Sequence, residues 1–192
     1  MVIMMDQVKY IGSIQHTSDT IQLMYKTEYY TYDTLRMLTR MLIGGILVVL
    51  ALVVKMNRVA QCLLLLAGCC LVASKDFPAA LRAGAALEDR KAALPLYLYT
   101  FYDKGLTMSG EGSMLLEYSR FERLIEDDSY LYLFLGRKSV CMMEKASVEC
   151  GSAEELKSFV AQRTGLVWRR NRSVFAMNLA DLRQAVRDRW GR

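Results

Sequence analysis

The sequence predicts an α+β protein in which a two-helix transmembrane hairpin is followed by a small antiparallel β domain closed by a C-terminal helix. Two apolar runs, residues 41–54 and 59–73, are separated by only four residues. From Leu94 onward, short β-like segments alternate with turn residues, which is typical of an antiparallel meander. A helix-capping sequence at Ser152 then precedes an apolar stripe at helical spacing.

Neither apolar run has a polar face. Residues 41–54 contain no polar side chain, and residues 59–73 contain only Gln61, near one end. A helix that is apolar all round is buried in a large core or in lipid, and a chain of 192 residues has no core large enough to surround two such helices. The runs are about 21–23 Å long as helices, which is shorter than the ~30 Å hydrocarbon layer.

The flanks and the turn support a hairpin in the membrane. Arg36 and Arg40 can extend their charged groups to the surface, so the first span is predicted over residues 35–54. Folding the chain about residues 55–58 brings Gly44 and Gly45 level with Cys69 and Gly68. Small residues at matching depth allow two membrane helices to pack closely.

Basic residues near the spans predict the orientation. More of them lie on the side of the chain termini than in the turn between the spans. The positive-inside rule therefore predicts a multi-pass cell-membrane protein with two spans and both termini in the cytoplasm. The residues that carry this bias are Arg36, Arg40, Lys75 and Arg82 on the terminal side, and Lys55 and Arg58 in the turn.

A lipoprotein signal is the alternative explanation for the second run. Residues 66–69 fit a lipobox ending at Cys69, and translation from Met56 would give this segment a charged start. However, the apolar run continues past Cys69 instead of turning polar. We expect no cleavable signal at Met1, because no apolar run begins before residue 41.

The regions on either side of the hairpin contain shorter patterns. Residues 20–26 approximate the alternation of a strand, and Thr27 with Glu28 indicates a helix start. Residues 7–15 form another short β-like stretch, and the single histidine, His16, is predicted to lie on the surface. After the hairpin, residues 77–91 are alanine-rich and predicted to be helical.

The β domain is predicted from six strand-like segments and one helix. The helix begins with the capping box of residues 152–155, docks through Leu156, Phe159 and Val160, and ends at Gly165. A curved sheet closed by one such helix has the outline of a pleckstrin-homology-like domain. The predicted strands are residues 97–101, 106–109, 113–119, 121–125, 130–135 and 139–143.

The sequence is accordingly divided into five parts. Residues 1–34 are an N-terminal strand region and helix start, and residues 35–77 are the transmembrane helical hairpin. Residues 78–93 form a connecting helix, residues 94–165 the cytoplasmic β domain with its closing helix, and residues 166–192 a basic amphipathic tail.

A family resemblance follows from the order of these parts. Tyr118 precedes a strand that carries the acidic Glu126, and Lys145 then precedes the helix start at residues 151–155. Over residues 20–164 this order resembles the YcxB-like family of bacterial membrane proteins, although Glu144 stands where the family pattern has proline. The resemblance implies a membrane-anchored cytoplasmic domain and provides no catalytic residues.

Groups that could carry chemistry are few in the sequence. The five cysteines form no C-x-x-C pair, so neither a metal site nor a redox dithiol is predicted, and Cys62 and Cys69 are expected to be small packing residues. No cofactor is predicted. The acidic residues 126–128 could form a paired acid/base site of a membrane-tethered enzyme, but such residues at a hairpin turn more often serve the turn itself. The sequence therefore favours a non-enzymatic binding or scaffold role.

The C-terminal tail carries the whole net charge of +5. The tail is expected either to dock on its own domain or on an unidentified protein, or to contact anionic lipid head groups. In the last case each basic residue adds ~1 kcal/mol of binding free energy. RNA binding is the least favoured reading, so nucleic acid is not an expected partner. The residues proposed for membrane or partner contact are Trp168, Arg169, Arg170, Arg172, Arg183, Arg187 and Trp190.

Overall fold

The computed structural model describes residues 7–89, 94–110, 112–137 and 139–171. This part of the chain contains helices and two mainly antiparallel sheets, so the predicted α+β class is confirmed. The chain divides into two compact units. The first contains the described residues of Met1–Thr20 and Arg90–Ser173, and the second contains Ile21–Asp89.

Two four-stranded sheets make up the first unit, in the orders β1-β2-β3-β4 and β7-β6-β5-β8. Neighbouring strands are antiparallel except β5 and β8, which are parallel. The first sheet consists of β1 Tyr10–Gln15, β2 Leu96–Phe101, β3 Gly105–Ser109 and β4 Ser113–Glu117. The second consists of β5 Arg123–Glu126, β6 Tyr130–Gly136, β7 Ser139–Glu144 and β8 Trp168–Arg170.

All six predicted strands of the β domain are confirmed, and the weak β-like stretch at residues 7–15 is β1. β1 pairs with β2 from Tyr10 opposite Phe101 to Gln15 opposite Leu96. The β domain therefore includes a strand from before the hairpin, which the prediction of residues 94–165 omitted. A pairing between segments that are about 85 residues apart leaves no signal in local periodicity.

β1 also connects the two sheets. Ile11 and Glu149 exchange backbone hydrogen bonds of 3.3 and 2.8 Å. The Ser147 hydroxyl donates to the carbonyl of Ser13 at 2.7 Å and accepts from the Ser13 amide at 2.8 Å. These bonds satisfy backbone groups that would otherwise lie unpaired at the sheet edge.

Helix α5, Ala153–Thr164, forms as the sequence predicts. Ser152 and Glu155 make the reciprocal hydrogen bonds of a capping box, and Gly165 ends the helix in the left-handed conformation with φ 69°. Leu156 and Val160 are buried in the core. The Phe159 ring lies 5.5 Å from the ring of Tyr10. Both the start and the apolar stripe of this helix are therefore confirmed.

Helix α1, Ser18–Tyr32, corrects the prediction of a strand at residues 20–26. The helix begins after Thr17, whose amide donates to the Thr20 hydroxyl at 2.7 Å while the Thr20 amide donates to the Thr17 hydroxyl at 3.2 Å. This reciprocal threonine pair acts as the helix cap, so Thr27 lies buried inside the helix and does not start it. Thr20 and Thr27 are both buried, and their interval of seven residues places them on one face of a helix but on opposite faces of a strand.

The second unit is built around α2, Thr34–Val53, and α3, Arg58–Ala73. A short 3₁₀ turn, Ser74–Asp76, leads from α3 into α4, Phe77–Asp89. By length and composition, two helical segments are suited to cross a membrane, Thr34–Val53 and the continuous Arg58–Asp89. The first agrees with the predicted span of residues 35–54. The second continues through the 3₁₀ turn into the predicted connecting helix.

Helices α2 and α3 pack through a seam of small residues. Met37, Gly44 and Ala51 are buried in α2 at intervals of seven residues, and Gly68 is buried in α3. An added Cβ at Gly44 would lie 2.9 Å from the Gly68 carbonyl oxygen, and one at Gly68 would lie 2.8 Å from that of Gly44. The predicted close approach is therefore confirmed for this pair.

Three other small residues of these two helices do not take part in the seam. A Cβ at Gly45 would meet no atom within 4 Å, and Cys62 and Cys69 are exposed. Their predicted packing roles are wrong, because each successive residue of a helix turns about 100° away from its neighbour. The polar side chain in the second run is satisfied at the seam, since Gln61 Nε2 donates to the Ala51 carbonyl at 2.9 Å.

Alanine at either seam glycine should force the helices apart. We expect Gly44→Ala and Gly68→Ala each to lower the free energy of unfolding by about 1–3 kcal/mol, because the added methyl group meets a backbone carbonyl oxygen of the partner helix, which cannot move aside alone as a side chain can. Gly45→Ala is the matched control, and its better helix propensity should leave stability unchanged or raise it. Thermal unfolding in detergent micelles measures this difference, and equal effects at Gly44 and Gly45 would disprove the seam.

Candidate functional site

The clearest cluster of charged side chains in the first unit surrounds Glu126, the last residue of β5. Glu126 Oε2 accepts hydrogen bonds from Lys145 Nζ and Lys157 Nζ, both at 2.9 Å. Lys145 Nζ also donates to the Asp127 carbonyl at 2.6 Å, and Lys157 Nζ also pairs with Glu154 at 2.9 Å. One half-buried carboxylate thus joins β5, the segment after β7, and α5.

Two of these three residues are those that the family resemblance marks. The structure brings Glu126 and Lys145 into contact although they are 19 residues apart. Lys157 was not predicted as part of the cluster. Its local signal is the spacing of three residues from Glu154, which is favourable on a helix, but the contact with Glu126 depends on how α5 packs.

The two lysines determine the protonation state of Glu126. Partial burial by itself would raise the pKa of Glu126, but the hydrogen bonds and charges of Lys157 and Lys145 outweigh it and hold this pKa below its ordinary value. Burial would likewise lower the pKa of Lys157, but Glu126 and Glu154 hold it above its ordinary value. Glu126 and Lys157 are therefore both charged at neutral pH, which suits a structural ion pair and not a proton donor.

The other two residues of the acidic segment are also engaged. Asp127 Oδ1 accepts from the amides of Ser129 and Tyr130 at 2.9 and 2.6 Å, and its Oδ2 accepts from the hydroxyl of the buried Tyr132 at 2.6 Å. Asp128 pairs with Arg170. Residues 126–128 thus close the β5–β6 turn and hold its neighbours, as expected of such residues at a turn.

Tyr118, the aromatic residue of the family pattern, lies in the core near α5. Its hydroxyl donates to the Tyr102 carbonyl at 2.8 Å, and its ring contacts Phe159 edge to face at 5.9 Å. Burial raises the pKa of Tyr118, so its hydroxyl remains protonated and continues to donate. The ring contact holds the segment between β4 and β5 against the closing helix.

Of the residues proposed for membrane or partner contact, the structure describes three, in β8. Trp168 is half-buried and its Nε1 donates to the Lys157 carbonyl at 2.8 Å. Arg169 and Arg170 are exposed on the edge of the second sheet, opposite Ile125 and Glu126 of β5. The remaining four, Arg172, Arg183, Arg187 and Trp190, lie outside the described residues.

Two further groups with reactive side chains are His16 and Cys141. His16 is buried and lies edge-on to the Tyr97 ring at 5.5 Å, so its predicted surface position is wrong. Because β1 pairs with β2, His16, which directly follows β1, lies inside the first unit. Cys141 is a free thiol, and burial raises its pKa to about 12, so this group is not a reactive thiolate.

Removing the charge of Glu126 should destabilise the first unit. We expect Glu126→Gln to lower the free energy of unfolding by about 1–3 kcal/mol, because two lysines lose a half-buried counter-charge. Glu154→Gln is the matched control: this exposed residue contacts the same Lys157, and its loss should cost less than about 1 kcal/mol. Chemical denaturation in detergent micelles distinguishes the two.

The same cluster predicts a pH dependence. Because the pKa of Glu126 is lowered on folding, its stabilising contribution is present above the ordinary value of 4.5 and is lost as the pH falls through the lowered pKa. Because the pKa of Lys157 is raised, its contribution is present below the ordinary value of 10.5 and lost as the pH rises through the raised pKa. The stability difference between the wild type and Glu126→Gln should therefore shrink as the pH falls below the ordinary value of 4.5, and a constant difference would contradict the ion pair.

The cluster around Glu126 lies in the part of the chain that matches a known protein family. Residues 101–162, which include Tyr118, Glu126, Lys145 and Lys157, match the model of the YcxB-like protein family. No curated protein matches the chain. A solved structure of the Spt16D Pob3N heterodimer is similar over 43% of this chain and 50% of that chain, with 12% identity and a TM-score of 0.31, and a likeness at this level supports no conclusion. The family predicted from the order of sequence elements is thus confirmed for residues 101–162, which match the YcxB-like proteins.

Proposed function

We propose that this protein is anchored in a cell membrane by the α2–α3 hairpin, with its pleckstrin-homology-like β domain acting as a cytoplasmic binding or scaffold module. The observation that carries this proposal is the exposure of large apolar side chains along both helices. In α3 only Gly68 is buried, whereas Leu63 is 61% exposed, and in α2 Leu52 is 66% exposed.

Lipid is the solvent that this surface requires. Each large aliphatic side chain left in water costs about 1.5–3 kcal/mol relative to burial. The described residues leave a run of them uncovered on the two helices, far more than the scattered exposure that soluble domains show. The exposed side chains are Leu42, Ile43, Ile46, Val49, Leu50, Leu52, Val53, Val59, Leu63 and Leu66.

The binding role of the β domain is supported by where β8 lies. Arg169 and Arg170 are on an exposed sheet edge, and the rest of the basic tail follows them in sequence. An exposed edge with arginines suits either an anionic membrane surface or an acidic protein partner. The proposal includes no cofactor and no nucleic acid partner.

Two other functions have weaker support. A membrane-tethered enzyme would use residues 126–128, but each of these carboxylates is already engaged in an ion pair or a turn. A lipoprotein translated from Met56 would lack β1, which pairs with β2 along its whole length. These contacts favour the anchored binding domain.

The proposed topology places the hairpin turn and the β domain on opposite sides of the membrane. A membrane-impermeant thiol reagent should label Lys55→Cys, in the exposed turn, in intact spheroplasts of a bacterial host. It should label the exposed native Cys150 only after lysis. Labelling of Cys150 but not of Lys55→Cys in intact spheroplasts would show the opposite topology. Labelling of both positions before lysis would show that no membrane separates them.

Contact of the tail with head groups can be tested by proteolysis of the full chain in nanodiscs. If the tail lies on anionic lipid, tryptic cleavage after Arg183 and Arg187 should be several-fold slower in discs containing phosphatidylglycerol than in discs of phosphatidylcholine. Added salt should abolish the difference, because it screens exposed charges. Equal cleavage in both lipids would exclude the membrane contact and leave a protein partner.

A further inference from the structure

We propose that the charged end of the hairpin, where α1, α2 and α4 meet, binds the head groups of anionic phospholipids. Its residues are the cations Lys26, Arg36 and Arg82 and the acids Glu28, Asp33 and Asp76, here called the charged collar. In this inference Phe77 and Leu81 of α4 lie at the boundary between head groups and acyl chains. The inference rests on the proposed membrane insertion and adds a lipid class and a site to it.

The collar directs two of its acids, Asp33 and Glu28, inward and its cations outward, whereas Asp76 is 34% exposed. The Asp33 side chain is 4% exposed, whereas that of Arg36 is 67% exposed. Arg36 Nη1 lies 3.8 Å from Asp33 Oδ1, and Arg82 Nη2 lies 3.6 Å from Asp33 Oδ2. One buried carboxylate thus positions two arginines, which suits a partner with negative charge on its surface.

Arg82 is held from a second side in the same way. Its Nη1 lies 3.6 Å from Glu28 Oε1, and the side chains of Glu28 and Arg82 are 13% and 42% exposed. An arginine has five N–H donors, more than the contacts with Glu28 and Asp33 use. A phosphate group accepts hydrogen bonds from two such N–H groups at once. The collar therefore keeps cationic donors available in a fixed place.

The start of α4 is fixed at the level of these charges. Asp76 lies 3.3 Å from Lys26 Nζ and accepts a hydrogen bond from the Tyr30 hydroxyl. Burial, and next the hydrogen bond to Asp76, raises the pKa of Tyr30, so this donor stays protonated. Phe77 follows Asp76 directly in the chain. Because Asp76 and its polar partners stay out of the hydrocarbon layer, they determine how deep Phe77 can lie in the membrane.

The outer face of α4 is apolar. Phe77 and Leu81 are 58% and 64% exposed and lie one helical turn apart, whereas Ala79 and Ala83 on the other face are buried. This face continues from the exposed apolar side chains of α3 through the Ser74–Asp76 turn. Large apolar groups beside outward cations are the composition of a helix that lies in the membrane interface. The occupant of the face is therefore the bilayer.

Depth-dependent fluorescence quenching in vesicles tests the position of α4. Phe77→Trp is compared with Ile46→Trp, an exposed position in the middle of α2, and the signal of the parent chain is subtracted from both. Lipids brominated near the head group should quench Phe77→Trp most strongly, and lipids brominated deep in the chain should quench Ile46→Trp most strongly.

The outcomes separate this inference from the proposed insertion. If Ile46→Trp is not quenched by either lipid, the hairpin is not in the bilayer and the proposed function fails. If Ile46→Trp is quenched but Phe77→Trp is not, or is quenched most by the deep label, the hairpin stands and the interfacial position of α4 is wrong.

A second experiment tests the lipid class. In vesicles with equal amounts of phosphatidylglycerol and phosphatidylcholine, bromine on the anionic lipid should quench Phe77→Trp at least about twofold more than bromine on the zwitterionic lipid. Arg36→Gln should bring the ratio towards one, because Asp33 keeps Arg82 as its partner and the fold is preserved. Lys55→Gln, in the turn at the other end of the hairpin, is the matched control and should leave it unchanged. Equal quenching by both lipids in the parent variant would overturn the head-group site.

Discussion

The apolar surface of the α2–α3 hairpin is the constraint on which the rest of the account depends. Its seam is narrow, because Gly44 and Gly68 allow the backbones to approach closely and bury little else. The large aliphatic side chains are left on the outside. Helices that pack through glycine and expose their leucines are stable in lipid, where no hydrophobic force between the helices is needed, and unstable in water.

The first unit is held by a different kind of interaction. Glu126 joins β5, the segment after β7 and the closing helix through two lysines. These ion pairs stabilise only while the partners stay charged, and removal of Glu126 takes away the carboxylate that both lysines share. The segment that matches the YcxB-like family includes all three residues. The acidic segment that first suggested catalysis is therefore better explained as the element that closes the domain.

Local patterns in the sequence predicted the elements whose cause is local. The α5 capping box, the Gly165 stop, the strands after residue 94 and the Gly44–Gly68 approach all follow from spacing or turn chemistry. The errors occurred where tertiary contacts decide. Thr17 and Thr20 cap a helix where alternation indicated a strand. Likewise, β1 belongs to a sheet formed mainly after the hairpin, and His16 is buried as a result.

The candidate site shows the same division. Glu126 and Lys145 were marked by the family pattern, but their contact and the part played by Lys157 depend on packing between distant segments. Trp168 looked like a surface residue because arginines follow it, yet its indole N–H is bonded to the Lys157 carbonyl. The charged collar was not foreseen, because its six residues come from three helices and from the short segments before α2 and α4, and are separated by up to 56 positions.

Whether lipid surrounds the hairpin is measured most directly by extracting membranes that contain the full chain with alkaline carbonate and sedimenting them at high speed. The polypeptide should remain in the pellet and enter the supernatant only when detergent is added. Its release by carbonate alone would show that water or protein, and not the bilayer, covers the exposed leucines and valines.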